Sequence, residues 1–187
     1  MRTILLTAAL LLPLGACVSM TENHYQPPVA ERAPLGDFGE ATLMNPAGQS
    51  IGRAVLTQGA TGLLIRIEAS GLTPGWHAVH IHATGRCDAP FTSAGSHINH
   101  ETAVPHGLLN PDGPDDGDLP NIYANTDGRV NAEVFTTRAR ISATGPGQWL
   151  WDSDGSALVI HTGPDDHLTQ PIGGAGARVA CGVMAAG

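Results

Sequence analysis

The chain contains no lysine. All nine of its basic residues are arginines, and against 17 acidic residues they leave a formal charge of −8 over 187 residues. An acidic chain without a basic patch lacks the electrostatic footprint of a nucleic-acid partner. Aromatic residues make up only 4%; no helical stripe recurs, and no internal repeat, low-complexity tract or nucleotide motif is present. Long apolar runs are missing too: the segment from Ile4 to Leu14 is too short to span a bilayer as a folded element. Cysteine occurs three times, at Cys17, Cys87 and Cys181. That odd number asks for an explanation in an exported protein.

Glycine (24 residues) and proline (14 residues) are abundant. They bound short apolar segments, which reads as an all-β domain of about 150 residues. Strands are expected at Phe38–Met44, Ile51–Thr57, Gly62–Ala69, Trp76–His82, Ile122–Asn125, Arg129–Thr136, Ala157–Ile160 and Ala177–Met184. The clearest alternation sets Val130, Ala132 and Val134 against Arg129, Asn131 and Glu133. Eight such strands predict a sandwich or flattened barrel. Two stretches do not fit strands: Gly85–Pro120 is dense in Gly, Pro, Asp and His, and Thr162–Gly176 is glycine-rich and carries Asp165, Asp166 and His167. A structureless stretch as long as the first is functional or disordered unless something orders it.

The N-terminus reads as a targeting segment, with Arg2, a short apolar run and small residues after it. Leu14-Gly15-Ala16-Cys17 resembles the bacterial lipobox, in which the Cys becomes the lipid-bearing first residue; an ordinary cleaved signal is the simpler alternative. The expected organisation is a signal segment over 1–17 with lipidated Cys17, a proline-bearing tether over 18–36, and a domain over 37–187. A lipid anchor would then be the only membrane attachment. Val18 after the Cys suggests the outer membrane, facing the periplasm. If Cys17 carries lipid, Cys87 and Cys181 remain as a pair. A disulfide between them closes a loop of roughly 95 residues, worth about 4 to 5 kcal/mol in the chain-entropy account; two reduced thiols are the alternative.

Histidine is where the chemistry concentrates. In His77-Ala78-Val79-His80-Ile81-His82, His80 and His82 share one parity, so on a strand both imidazoles point to one face while Val79 and Ile81 point to the other. His97, His106 and His161 follow, with Asp115, Asp118 and Asp165 around them. This is a metal site with the makings of two metals. A histidine-rich set without thiolate suits Cu, Zn or Ni better than an iron–sulfur cluster, and nitrogen-rich planar geometry favours Cu(II). His77, in parity with Val79 and Ile81, reads as a buried structural His bonded to backbone. Asp166 and His167 read as solvent-facing loop residues, Trp149 and Trp151 as packing or interface residues. Read alone, Arg178 could equally be a surface cation at a strand start.

Six stretches, in order, resemble the copper/zinc superoxide dismutases, the bacterial periplasmic branch most of all. They are Gly75–His82, Ser93–Asn99, His106-Gly107, Gly117–Asn121, Leu158–His161 and Gly176–Val183. The resemblance covers Phe38 to Met184. It implies an eight-stranded Greek-key β-barrel with long metal-binding and electrostatic loops, a Cys87–Cys181 disulfide, a monomer or dimer, and dismutation of superoxide anion to oxygen and hydrogen peroxide. It makes His80, His82, His97 and His161 copper ligands, with His97 bridging to zinc and giving a proton during turnover. His106 and Asp118 match zinc ligands. Asp165 matches the carboxylate that fixes one His on each side, and Arg178 the arginine that attracts and orients the anion. The chain departs from the family pattern in the zinc loop. Asp115 stands nine residues after His106 and three before Asp118, where a third His is usual. A site of two His and two Asp is then expected, or a copper-only protein if zinc is lost. His97 and His106 are also one residue further apart than usual, and His100, where proline is common, is a candidate substitute ligand. The alternative function is a non-catalytic copper-binding or storage lipoprotein on the same fold; it would need the copper histidines but not Arg178.

Overall fold

The computed structural model describes residues 36–99 and 104–187. The expected signal segment with Cys17, all of the expected tether but Gly36, and His100 lie outside the described residues. Among these residues twelve strands run in chain order: β1 Phe38–Met44, β2 Ser50–Gln58, β3 Leu63–Ala69, β4 Gly75–His77, β5 Val79–His82, β6 Ile122–Ala124, β7 Val130–Thr136, β8 Ala139–Arg140, β9 Gln148–Trp149, β10 Ala157–His161, β11 Arg178–Val183 and β12 Ala185–Ala186. The only helical element among the described residues is a 3₁₀ turn at Thr92–Ala94. Eight strands form one antiparallel sheet in the order β5-β10-β11-β1-β2-β3-β7, with β12 also on β1. The sheet curls into a half-barrel. Neighbours that are distant in sequence, such as β3 with β7 and β11 with β1, give it its crossovers.

Alternation builds the core. In β3, Leu63, Ile65, Ile67 and Ala69 are buried while Arg66 is exposed. In β7, Val130, Val134 and Thr136 face in, and Asn131, Glu133 and Phe135 face out. Leu43, Leu56, Ile67, Ile81 and Leu158 meet in a single cluster. At about 25 cal/mol per Å² of apolar surface removed from water, such a core is the main source of stability. Trp151 packs against it, whereas Trp149 lies at the surface under Arg140, with its indole N–H reaching the Ile141 carbonyl at 3.3 Å.

Two strands break the alternation, and they carry the histidines. Every residue of β5 and β10 is buried. Val79, Ile81, Leu158 and Ile160 join the main core, while Ala157 and Val159 face a second, smaller cluster with Phe91, Ala94 and Cys181. The sheet is therefore covered on both faces here, and the covering layer is the long segment after β5. Its backbone also closes the free edge of β5: Ile81 donates to the Gly117 carbonyl at 2.9 Å and accepts from Ile98 N–H at 3.0 Å. A Cβ at Gly117 would collide with the Ile81 carbonyl, so this approach requires glycine.

The strand expected over Trp76–His82 is two strands. β4 pairs with β6 in a separate two-stranded sheet, and β5 pairs with β10 in the main one. Between them Ala78 donates to the Gly163 carbonyl at 2.8 Å and accepts from His161 N–H at 2.9 Å. The chain changes partners at that residue, which a period-two pattern does not reveal.

A disulfide joins Cys87, in the covering segment, to Cys181 of β11 across 94 positions. The loop it closes is long, so its loss should be costly to stability. Replacing both cysteines by serine is expected to lower the unfolding free energy of the metal-free protein by about 4 kcal/mol, read from urea unfolding midpoints. A midpoint equal to that of the parent would show that the covering segment docks without the crosslink.

Candidate metal centre

β5 brings His80 and His82 to the outer face, as their shared parity requires. A register shift between Ile160 and His161 ends β10 there, and His161 stands opposite Arg178, the first residue of β11. His97 arrives from the covering segment through an isolated bridge to His82, and Asp118 through another to His80. The rings cluster tightly: the His80 centroid lies 4.2 Å from that of His97 and 5.0 Å from that of His161, and His82 is 5.1 Å from His97.

Each of these four rings directs one nitrogen at a fixed oxygen. His82 Nδ1 meets the Gly95 carbonyl at 2.9 Å and His161 Nδ1 the Gly176 carbonyl at 3.0 Å. His80 Nε2 meets Asp165 Oδ2 at 2.9 Å, and His97 Nδ1 meets Asp115 Oδ2 at 2.9 Å. The oxygens facing His80, His82 and His161 can only accept, so in those three rings that nitrogen carries the proton and the other presents a lone pair; His97 instead turns Nδ1 to the Asp115 carboxylate of the neighbouring group. His80 Nδ1, His82 Nε2, His97 Nε2 and His161 Nε2 are all buried without a hydrogen bond. A buried polar atom left without a partner costs about 1–3 kcal/mol, and here four occur together. His80, His82 and His161 offer donor atoms within 4.8 Å of one another. This donor set fits copper.

On the other side of His97 the donors change character. His97, His106, Asp115 and Asp118 form a second group within 4.8 Å. Asp115 Oδ1 is held by Gly117 N–H at 3.0 Å, which leaves Oδ2 for the centre. Asp118 Oδ2 is held by the amides of Gly107 at 2.7 Å and Asp115 at 3.1 Å, which leaves Oδ1 facing His106 and His97 Nδ1. Two nitrogens and two single carboxylate oxygens are a donor set that fits zinc. Asp165 links the two sides, with Oδ2 on His80 and Oδ1 on His106 Nε2 at 3.0 Å.

Electrostatics follow burial first and partners second. Burial holds the His80 imidazolium pKa down to about 4 and that of His82 to about 2, and lowers His161 as well. His97 is equally buried, yet its hydrogen bonds to Asp115 and Asp118 raise it to about 9. Burial alone would raise Asp118 and Asp165; the hydrogen bonds they accept, from His97 and Gly107 for Asp118 and from His80 and His167 for Asp165, hold both below the usual carboxylate range. Arg178 donates Nη1 to the Phe91 carbonyl at 2.6 Å and Nη2 to the Gly95 carbonyl at 2.7 Å. Its guanidinium, partly buried, borders a cavity of about 390 Å³ that His82, His97, His106 and Asp115 also line.

The remaining expectations divide. His77 is buried, with Nδ1 2.6 Å from the His161 carbonyl and Nε2 2.7 Å from that of Thr73, a backbone-bonded His and not a donor to either set. Asp166 is exposed. His167 is not a solvent-facing residue: its half-buried ring sets Nδ1 3.3 Å from Asp165 Oδ2, and its Nε2 accepts from Asn121 at 3.2 Å. Two amide side chains escaped the sequence reading. Asn121 and Gln170 hydrogen-bond the backbones of Asp165 and His106. Asn121 stands inside the Gly117–Asn121 stretch, but nothing in residue type or spacing signals Gln170.

Comparison with known proteins places this geometry. The profile of the family described as copper/zinc superoxide dismutase (SODC) matches residues 50–184. The chain is 51% identical over 138 residues to the copper–zinc superoxide dismutase of Caulobacter vibrioides, covering 73% of this chain and 79% of that one. It is 45% identical over 146 residues to one from Aquifex aeolicus, covering 77% and 85%. Among solved structures, a SOD-like protein from Bacillus subtilis superposes with a TM-score of 0.72 at 37% identity, over 78% of this chain and 97% of that one. The copper/zinc superoxide dismutase of Brucella abortus gives 0.63 at 28% identity, over 79% and 99%. The family profile spans β2 to β11 and both segments that carry the clustered histidines and carboxylates, and the chain belongs to the copper/zinc superoxide dismutase family.

Proposed function

We propose that this chain is a superoxide dismutase that turns two superoxide anions and two protons into dioxygen and hydrogen peroxide. The carrying observation is the convergence of four buried, unpartnered imidazole nitrogens beside a tethered guanidinium. His80, His82, His97 and His161 would hold copper, and His97, His106, Asp115 and Asp118 would hold zinc. Copper supplies the one-electron couple when bound, and zinc the fixed charge behind His97. Arg178 draws in the anion and orients it, because its two carbonyl bonds leave the cation no freedom to follow solvent. His97 stands between the two donor sets and is placed to hold a proton at Nε2 and pass it to the reduced substrate. Asp165 fixes the rings of His80 and His106 and so keeps each tautomer correct. Storage of copper would need the imidazoles alone, so the carbonyl-anchored Arg178 favours the enzyme. Arg178→Ile is expected to keep one copper and one zinc per chain by elemental analysis while the superoxide-consumption rate falls at least about tenfold and loses its salt dependence. An unchanged rate would remove the steering role, and an inactive parent with full copper would point to storage.

We further propose a mature protein anchored by lipid on Cys17, tethered through 18–36 and facing the periplasm from the outer membrane. Supporting this, the Cys87–Cys181 disulfide leaves Cys17 as the remaining thiol, and Leu14-Gly15-Ala16 precedes it as in a lipobox. Labelled palmitate should enter the parent and not Cys17→Ser; label in both would refute the anchor.

The metal-free protein should show a stability optimum near pH 6.5. His80 and His82 have folded pKa values below the ordinary 6.5, so acid favours the unfolded chain, which takes the proton first; stability falls below pH 6.5, through about 4 for His80. His97, raised to about 9, contributes fully below pH 6.5, and that contribution is lost as pH rises through about 9. Urea unfolding from pH 4 to 10 checks this, and a flat profile would contradict both arms.

A further inference from the structure

Gln170 sits in the segment between β10 and β11, exposed at its surface, yet its side chain is fully engaged with backbone. Its Oε1 accepts from His106 N–H at 3.0 Å. Its Nε2 donates to the His106 carbonyl at 2.7 Å and to the Leu168 carbonyl at 3.0 Å. A carboxamide offers an acceptor oxygen and two donor hydrogens, and both hydrogens and the oxygen are engaged with peptide groups. The partners also fix which end is oxygen, because an N–H requires the acceptor and two carbonyls require the donor. Asn121 does the same in the opposite direction. From the segment between β5 and β6, its Oδ1 accepts from Asp165 N–H at 2.9 Å and its Nδ2 donates to the Asp165 carbonyl at 2.8 Å. Each segment thus grips the other at the peptide of a centre residue, and the Asp165 Oδ1 to His106 Nε2 bond lies between the grips.

We propose that Gln170 is a positioning residue that holds the His106 peptide, and through it the His106 ring, in register with Asp165 and the mixed nitrogen–oxygen donor set. It touches no donor atom of that set and acts only through His106. His106 lies on a turn-rich stretch outside any strand, so its ring placement depends on such bonds more than that of His80 or His82, which β5 supports. Loss of a residue that orients a ligand costs about 10- to 100-fold in metal affinity. The effect should fall on zinc and spare copper, whose four imidazoles Gln170 does not bond.

The inference rests on the zinc reading of the mixed set. The full chain, loaded with copper and zinc, is dialysed against EDTA, and both metals are followed by elemental analysis. Gln170→Ala should release zinc about 10- to 100-fold faster than the parent, with copper retained as in the parent. Gln170→Glu has nearly the same volume and keeps the acceptor for His106 N–H but sets an oxygen against two carbonyls; it should release zinc at least as fast as the alanine variant. Thr169→Ala, which loses only an exposed bond to Asp166, should match the parent. Parent-like zinc retention in Gln170→Ala, or in Gln170→Glu alone, overturns the proposal, the second because mere packing would then suffice. Equal loss of both metals overturns it in favour of a general stabilising role. A parent that takes up no zinc overturns the zinc reading, and this inference with it.

Discussion

An imidazole can coordinate only through a nitrogen that has no proton, and which nitrogen that is depends on what the other one bonds. In this protein an oxygen is placed against one nitrogen of each ring: Gly95 and Gly176 supply carbonyls for His82 and His161, Asp115 a carboxylate for His97, Asp165 one for His80. For His80, His82 and His161 the direction of the lone pair follows, and with it the nitrogen set of the centre. Asp165 carries the heaviest responsibility, since its two oxygens set a ring on each side. Its position is in turn set by Asn121, by the His167 amide at 2.6 Å and by the glycine at 173, where any Cβ would strike the carboxylate.

The fold exists to make such placement rigid. Strands supply three of the four imidazoles of the nitrogen set directly, on elements whose other face is packed into the core. The covering segment supplies the rest. It is ordered by the disulfide, by the small cluster around Phe91 and by the backbone bonds that close the edge of β5. That last contact also removes a hazard, because β5 ends the sheet and an open edge invites pairing with another chain.

Much of this was legible in the residues. Parity put His80 and His82 on one face, and turn residues marked the two segments that converge on them. Alternation in Val130–Thr136 gave the inward and outward faces as observed. The break at Ala78 was not legible, because a change of hydrogen-bonding partner leaves the period-two pattern intact. Nor was the grip of Gln170, or the place of His167 over Asp165. A side chain that bonds a peptide group has no partner residue type to betray it, and only the folded backbone shows which peptide lies within reach.

The carbonyl of Gly95 has a further consequence. It accepts both from His82 Nδ1 and from Arg178 Nη2, at a residue whose φ of 77° favours glycine. One peptide therefore references both an imidazole and the guanidinium at the cavity wall. A shift of that one carbonyl would act on the imidazole and the guanidinium together. Adjusting the charge relative to the ring therefore calls for a change elsewhere, at the Phe91 carbonyl or in β11.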